Sequence, residues 1–319
     1  MNLEETCKEL KELLSEATNR EPADAILLSG GIDTSAIAVS SAKELRDIHA
    51  ITVVFGDDCP DLPYARRVAD LYGYKHHMLH IPEEEALQVI PEVIKILNTF
   101  DPAIPNDLAV YLALREAKGL GLKNALTGDG SDELFAGYSF MYGLEPSDLK
   151  KYIEGLSVSM NFSSNELGRY MGIGIKQPFL SEEVVKFALD LDTSLKVKSV
   201  KGEVQGKWIL RKTFEEDIPG LFQREKAPIE VGSGMSRLRV TIGSLITDGE
   251  FKEKRRDYDI PFMNKEHLYF YEVYRDVIGE IEEAEEGPNA CPLCRSKVSS
   301  KGVHCYICGY SPPLRKGEA

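Results

Sequence analysis

The 319-residue chain is long enough for one large domain and a small appendage, and its 43% hydrophobic content supports a packed core rather than disorder. A net charge of −14 argues against bulk electrostatic binding to nucleic acid, and no apolar run approaches the length of a membrane span. The acidic, amphipathic N-terminus has no apolar signal core, and four of the six cysteines crowd into the last 30 residues. That usage fits a reducing cytoplasm and one metal site better than a disulfide framework.

Along the chain, Leu3, Leu10, Leu13, Leu14 and Ala17 recur at helical spacing over 3–19, with Asn2 as the cap. Ala25 to Leu28 read as a buried parallel strand, followed by a Ser-Gly-Gly turn and a helix. A second strand is expected at 50–55, a helix at 63–72 with Pro63 in its first turn, and a third strand at 76–81. Helices follow at 83–98 and 107–118, the latter capped by Asp107, and a fourth strand at 123–127. Strands alternating with helices predict an α/β, doubly wound parallel sheet over about 1–144, with ligands at the carboxyl ends of the strands. A helical part is expected to about 279, an acidic linker at 280–289 and a cysteine module at 290–312.

Two glycine turns fall at strand ends. In Leu27-Leu28-Ser29-Gly30-Gly31-Ile32-Asp33-Thr34-Ser35, a tight turn opens a helix, so backbone N–H groups can cradle an anion and three hydroxyls add donors. Asp33 beside an anion makes sense if it holds a divalent cation; an ordinary strand-to-helix turn is the plainer reading. In Leu126-Thr127-Gly128-Asp129-Gly130-Ser131-Asp132-Glu133, three crowded carboxylates call for a cation or polar substrate, or form a solvated turn.

The first loop resembles the SGGxDS pyrophosphate loop of the N-type ATP pyrophosphatases, with Thr34 where serine is commoner. The second, running on to Tyr138 as GDGSDELFAGY, is similar to the signature of asparagine synthetases and β-lactam synthetases. The resemblance runs from the leading helix to about Leu238. It includes Pro60–His77, Gln177-Pro178-Phe179-Leu180, Lys207-Trp208-Ile209-Leu210-Arg211 and the Arg224-Glu225-Lys226 segment. It implies a HUP-like fold of the adenine nucleotide alpha hydrolase type, ATP as substrate, and Mg²⁺ on Asp33 and Asp132. It also implies an adenosine pocket lined by Leu27, Val54 and Gly128, Asp129 as acid/base or orienter of the amine, and Lys226 as electrophilic catalyst. Ile104 is followed by Pro105, Asn106 and Asp107 where the family often carries arginine, a departure that bears on the acceptor carboxylate. Residue 2 is Asn rather than the family's N-terminal nucleophilic Cys, and no glutaminase fits ahead of Ser29.

Cys291-Pro-Leu-Cys294 and Cys305-Tyr-Ile-Cys308 are two CxxC knuckles ten residues apart, a spacing that suits one tetrahedral Zn²⁺, with His304 as a bystander. Lys297, Lys301, Arg315 and Lys316 make the module basic, which allows contact with RNA, a partner protein or the active-site cleft. The resemblance therefore implies a cytoplasmic, AMP-forming carbon–nitrogen ligase acting on aspartate or an analogue. Its amine would be ammonia, free or supplied by an amidotransferase subunit. The alternative is a tRNA-thiolation-type enzyme docking RNA through the ribbon.

Overall fold

Short apolar runs bounded by turns become the strands of one parallel sheet: β1 (Ala25–Leu27), β2 (His49–Phe55), β3 (Lys75–Ile81), β4 (Asn124–Leu126) and β5 (Gly174–Lys176), in the order β3-β2-β1-β4-β5. The computed structural model describes residues 2–20, 22–41, 47–56, 59–222, 229–258, 260–285, 287, 290–298 and 304–311. Fourteen α-helices are described, numbered in chain order: α1 (Leu3–Asn19), α2 (Ile32–Ser41), α3 (Leu62–Tyr72), α4 (Glu83–Leu97), α5 (Ile104–Gly119), α6 (Ser131–Leu134), α7 (Pro146–Ser157), α8 (Ser163–Met171), α9 (Glu182–Asp190), α10 (Trp208–Thr213), α11 (Ile229–Gly232), α12 (Leu238–Leu245), α13 (Asp248–Asp257) and α14 (Lys265–Val277). Among the described residues, no helix is long and apolar enough to cross a membrane.

The alternation of strand side chains splits the core into two layers. Ile26, Leu28, Ala50 and Leu126 join α1, α2, α3 and α9 on one face. Ala25, Ile51, Val53 and Ala125 join α4, α5, α8 and α14 on the other. The chain therefore winds from β1 toward β3 on one side and reaches β4 from the other, which places the topological switch between β1 and β4. The carboxylate of Asp24 fixes that junction by accepting the Lys123 and Asn124 amides at 2.9 and 3.0 Å.

Asn2 caps α1 in a full capping box, as expected. The fifth helix begins at Ile104 with Ala103 as its N-cap, so Asp107 lies inside the helix and is not its cap; Pro105 suits the first turn and starts the helix earlier than expected. β5 and the hairpin β6 (Lys198–Val200) and β7 (Glu203–Gln205) add strands in the largely helical second half. Glu283 pairs with Ser296 and Ala284 N–H donates to the Arg295 carbonyl, so part of the acidic stretch joins the cysteine module.

The module packs on the main core. Its four cysteines belong to the same apolar cluster as Phe100, Tyr271 and Tyr274. The fully buried Phe100 ring lies 5.1 and 5.3 Å, edge-on, from Tyr271 and Tyr274. Phe100→Ala should cost about 3–5 kcal/mol of stability, measured by urea unfolding at constant m-value.

Candidate active site

The two glycine turns leave neighbouring strands, β1 and β4, on the same edge of the sheet. Gly30 makes the first turn possible. Its φ is +79°, and a Cβ there would stand 2.5 Å from the Ala65 nitrogen at the start of α3. The turn feeds α2, which carries Asp33 in its first turn where the helix dipole favours negative charge. Ser29 Oγ accepts the Gly31 N–H at 3.1 Å and lies 3.2 Å from Thr34 Oγ1. Ser35 Oγ is buried without a hydrogen-bond partner among the described residues.

The second turn brings Asp132 to Asp33 through a third residue. The Lys207 ammonium lies 2.7 Å from both oxygens of Asp33 and 2.9 Å from Asp132 Oδ1. Its side chain is only 3% exposed, against 21% and 22% for the carboxylates. Burial alone would lower the lysine pKa; the charges of Asp132 and Asp33 outweigh it and raise it above the ordinary value. Ser131 Oγ donates to Asp33 Oδ1 at 2.5 Å.

The backbone is bent to make this contact. Lys207 and Ala136 have φ of 54° and 56°, in the left-handed region that non-glycine residues rarely occupy. Gly137 must lack a side chain, because a Cβ would stand 1.8 Å from Asp132 Oδ1 and 2.2 Å from Lys207 Cε. Arg211, one turn after Lys207, donates to the Gly206 and Phe222 carbonyls at 3.0 and 2.8 Å and holds the loop.

Asp129 is fixed differently. Its Oδ2 accepts Thr127 Oγ1 at 2.7 Å, Ser164 Oγ at 2.6 Å and Gln177 Nε2 at 2.9 Å, which joins β4, α8 and the segment after β5. Glu133 accepts the Tyr138 hydroxyl at 2.6 Å, and burial raises its pKa despite that bond.

Two connected cavities result. A slot of about 100 Å³ has apolar walls from Leu27, Ile51, Val53, Ala109 and Ala113, with Thr127 and Gly128 at its polar end. It opens past Ser29, Thr34 and Asp129 into a cleft of about 520 Å³ that holds Gly31, Asp33, Gly130, Asp132 and Lys207. Of the expected adenosine contacts, Leu27 and Gly128 line the slot. Val54 does not; Val53 stands there instead, since successive strand residues face opposite sides. Gly30, Ser35 and Ser131 shape the loops from behind and line neither cavity. Lys226 lies outside the described residues. Lys207 was noted in the sequence only as part of a motif; Gly137, where a Cβ would meet both Asp132 and Lys207, is the one residue that could have signalled it.

The residues fit Mg²⁺ and a triphosphate. Asp33 and Asp132 converge on one cationic point, and two carboxylates suit an ion that keeps waters and phosphate oxygens as its other ligands. The Ser29 and Thr34 hydroxyls line both cavities at the turn, where an anion needs donors.

The second centre is the cysteine module. The four sulfurs lie within 4.8 Å of one another, with Cys291–Cys308 at 3.6 Å and Cys294–Cys305 at 3.8 Å. The edge of a tetrahedron with metal–sulfur bonds of about 2.3 Å is about 3.8 Å, so the donor set can hold a metal ion. The two knuckles repeat one geometry. Arg295 and Gly309, each four residues after a leading cysteine, have φ of 60° and 74° and donate to the Cys291 and Cys305 carbonyls. Cys291 and Cys305 N–H donate in turn to Ser296 and Tyr310 carbonyls. His304 stays outside the four-sulfur group, as expected; its Nε2 lies 2.8 Å from Asp101 Oδ2. Burial lowers the pKa of His304, but Asp101 outweighs that and raises it.

Comparison with known proteins agrees with this geometry. The asparagine synthase family model matches residues 9–172 and 160–271. The glutamine-hydrolyzing asparagine synthetase of Zea mays is 26% identical over 292 residues, covering 82% of this chain and 49% of that protein. The probable glutamine-hydrolyzing asparagine synthetase of Dictyostelium discoideum is 31% identical over 279 residues, covering 76% and 50%. The chain thus spans about half the length of the curated relatives it matches. Among solved structures, the U34-tRNA thiolase NcsA from Methanococcus maripaludis, with its 4Fe-4S cluster, aligns over 74% of this chain and 80% of that one at 18% identity and a TM-score of 0.37, too loose to bear on function.

Two outcomes follow from the electrostatics. Lys207→Met leaves two carboxylates facing each other, and should cost about 2–3 kcal/mol in thermal unfolding, with millimolar MgCl₂ restoring part of it. Burial raises Asp107 from 3.8 to about 7; its bond with Ser163 opposes this and the charge of Asp101 adds to it. Its proton is therefore held more tightly in the folded state, so this group's stabilisation is full below about pH 4 and is lost as pH rises to about 7. Asp107→Asn should remove that slope and gain about 2 kcal/mol at pH 8 in pH-dependent denaturation, with little change at pH 4.

Proposed function

We propose, on the premise that the chain belongs to the asparagine synthase family, that it is an ATP-dependent ligase that activates a carboxylate as its acyl-adenylate and transfers it to an amine. The observation that carries this reading is the meeting of Asp33 and Asp132 around one buried ammonium at the ends of adjacent strands. In this reading the adenosine occupies the apolar slot and the phosphates lie along the Ser29–Ser35 turn. Asp33 and Asp132 would hold Mg²⁺, which would neutralise charge on the leaving pyrophosphate.

The substrate carboxylate attacks the α-phosphorus. One O–P bond forms, the bond to the β-phosphate oxygen breaks, and pyrophosphate leaves. The amine nitrogen then attacks the acyl carbon and AMP departs with the carboxylate oxygen. Asp129, fixed by three donors, orients the amine and takes its proton. Lys207 keeps the two metal-binding carboxylates together, and Lys226 neutralises charge on the departing pyrophosphate. Aspartate is the simplest acid and ammonia, free or delivered by a partner subunit, the simplest amine. A tetrahedral four-sulfur set of this size suits Zn²⁺.

RNA is the less favoured substrate. The cleft is lined by Asp33, Asp101, Asp129, Asp132, Glu133 and Glu166, a surface that repels a polyanion.

Pyrophosphate release from Mg·ATP, assayed with a panel of carboxylic acids and ammonium, tests the reading. Release that depends on one acid, with amide formed when ammonium is present, is the expected result. Release that depends only on tRNA, or no release with any acid, contradicts it. Asp129→Asn should preserve acid-dependent ATP–pyrophosphate exchange and slow amide formation by about 10²-fold.

A further inference from the structure

The cysteine module has no obvious part in adenylation, yet it reaches the cleft. Tyr306 and His304 line the large cleft alongside Asp101, Asn106 and Asp107, whereas no residue of the module lines the nucleotide slot. The contact is specific. The Ile307 carbonyl accepts the Phe100 N–H at 2.7 Å and the Thr99 hydroxyl at 3.2 Å. His304 bridges Asp101 and Ser311 at 2.8 and 2.9 Å. The Tyr306 hydroxyl donates to the Ser159 carbonyl at 3.2 Å, reaching the loop before α8 from the far side. Asp101 is itself held by the Ala103 N–H at 2.8 Å. Gly309 permits the approach, since a Cβ there would stand 2.6 Å from Asp101 Oδ1.

Tyr306 stands between Cys305 and Cys308, so two metal-ligand positions fix its backbone on either side. It remains 49% exposed although its ring is tethered at the hydroxyl and stands edge-on to His304 at 5.5 Å. A ring held in place yet half open, in a cavity that also contains Asp129 and Lys207, is a surface for the occupant of that cavity. The module is too small to fold around apolar residues of its own, so its shape depends on its metal.

We propose that the second knuckle is the wall of the acceptor half of the cleft: Tyr306 contacts the carboxylate substrate during its activation, and filling the four-sulfur site builds that wall. This rests on the ligase reading for the identity of the occupant. It makes Tyr306 a specificity-determining residue, with His304 as the positioning residue that ties the knuckle to Asp101. A module that only stabilised the chain would give no such asymmetry between the two cavities.

The test uses the full-length, metal-loaded protein. Tyr306→Ala and Tyr306→Phe are compared with wild type for metal content, for calorimetric binding of magnesium α,β-methylene-ATP, and for kcat and KM of the acid that drives pyrophosphate release. Tyr306→Ala should raise that KM by about tenfold or more and leave the nucleotide Kd within about twofold, and Tyr306→Phe should restore most of the KM. An unchanged KM, or a KM and nucleotide Kd that rise together, overturns the proposal. If wild type releases no pyrophosphate with any acid, the ligase reading has failed on its own account. The wall is then read by hydrogen–deuterium exchange of the whole chain before and after chelation. Loss of amide protection confined to 97–107 and 159–166, with 25–36 and 124–135 still protected, supports it; uniform loss or no loss overturns it.

Discussion

One ammonium group organises this protein. Lys207 stands between Asp33 and Asp132, and each of the three comes from a different stretch of chain: the turn after β1, the turn after β4, and the loop before α10. Two carboxylates at that separation would repel strongly in a partly buried cleft, and the lysine removes the repulsion. The left-handed backbone at Lys207 and Ala136 and the glycine at 137 are the costs of bringing it there. Such strain persists because the surrounding packing fixes it, here the buried Arg211 and the carbonyls it holds. The result is a site in which Asp33 and Asp132 already converge on one point.

Much of this was legible in the sequence, for physical reasons. Both glycine turns follow segments that read as strands, so their place at strand ends was readable from Leu27–Ser35 and Leu126–Glu133. The doubly wound sheet followed from the alternation of strands and helices. β5 was not legible: Gly174-Ile175-Lys176 is a three-residue pairing on the sheet edge with no apolar run to announce it. Lys207 was visible only as part of a motif, because its role depends on a backbone conformation that sequence does not signal for lysine. Val54 was displaced by Val53 because a pocket formed by one face of a strand cannot be assigned without its register.

The cysteine module shows the same division. Its spacing announced a metal site, and the paired sulfur distances and repeated turn geometry agree. Its placement was open between a nucleic acid, a partner and the cleft. The Asp101–His304 pair and the Phe100–Ile307 hydrogen bond lay it against the cleft, joining a four-cysteine module to a cavity the α/β sheet leaves open on one side. The slot and the cleft share Ser29, Thr34, Gly128 and Asp129, and only the cleft reaches the module, through His304 and Tyr306.

The central claim is that Asp33 and Asp132 act together in holding the metal of a bound triphosphate. The most direct measurement is calorimetric binding of α,β-methylene-ATP, with and without Mg²⁺, to wild type, Asp33→Asn and Asp132→Asn. The account predicts Mg²⁺-dependent binding in wild type and a loss of that dependence in either variant. Binding that is indifferent to Mg²⁺, or that keeps its dependence when either carboxylate is neutralised, would contradict it.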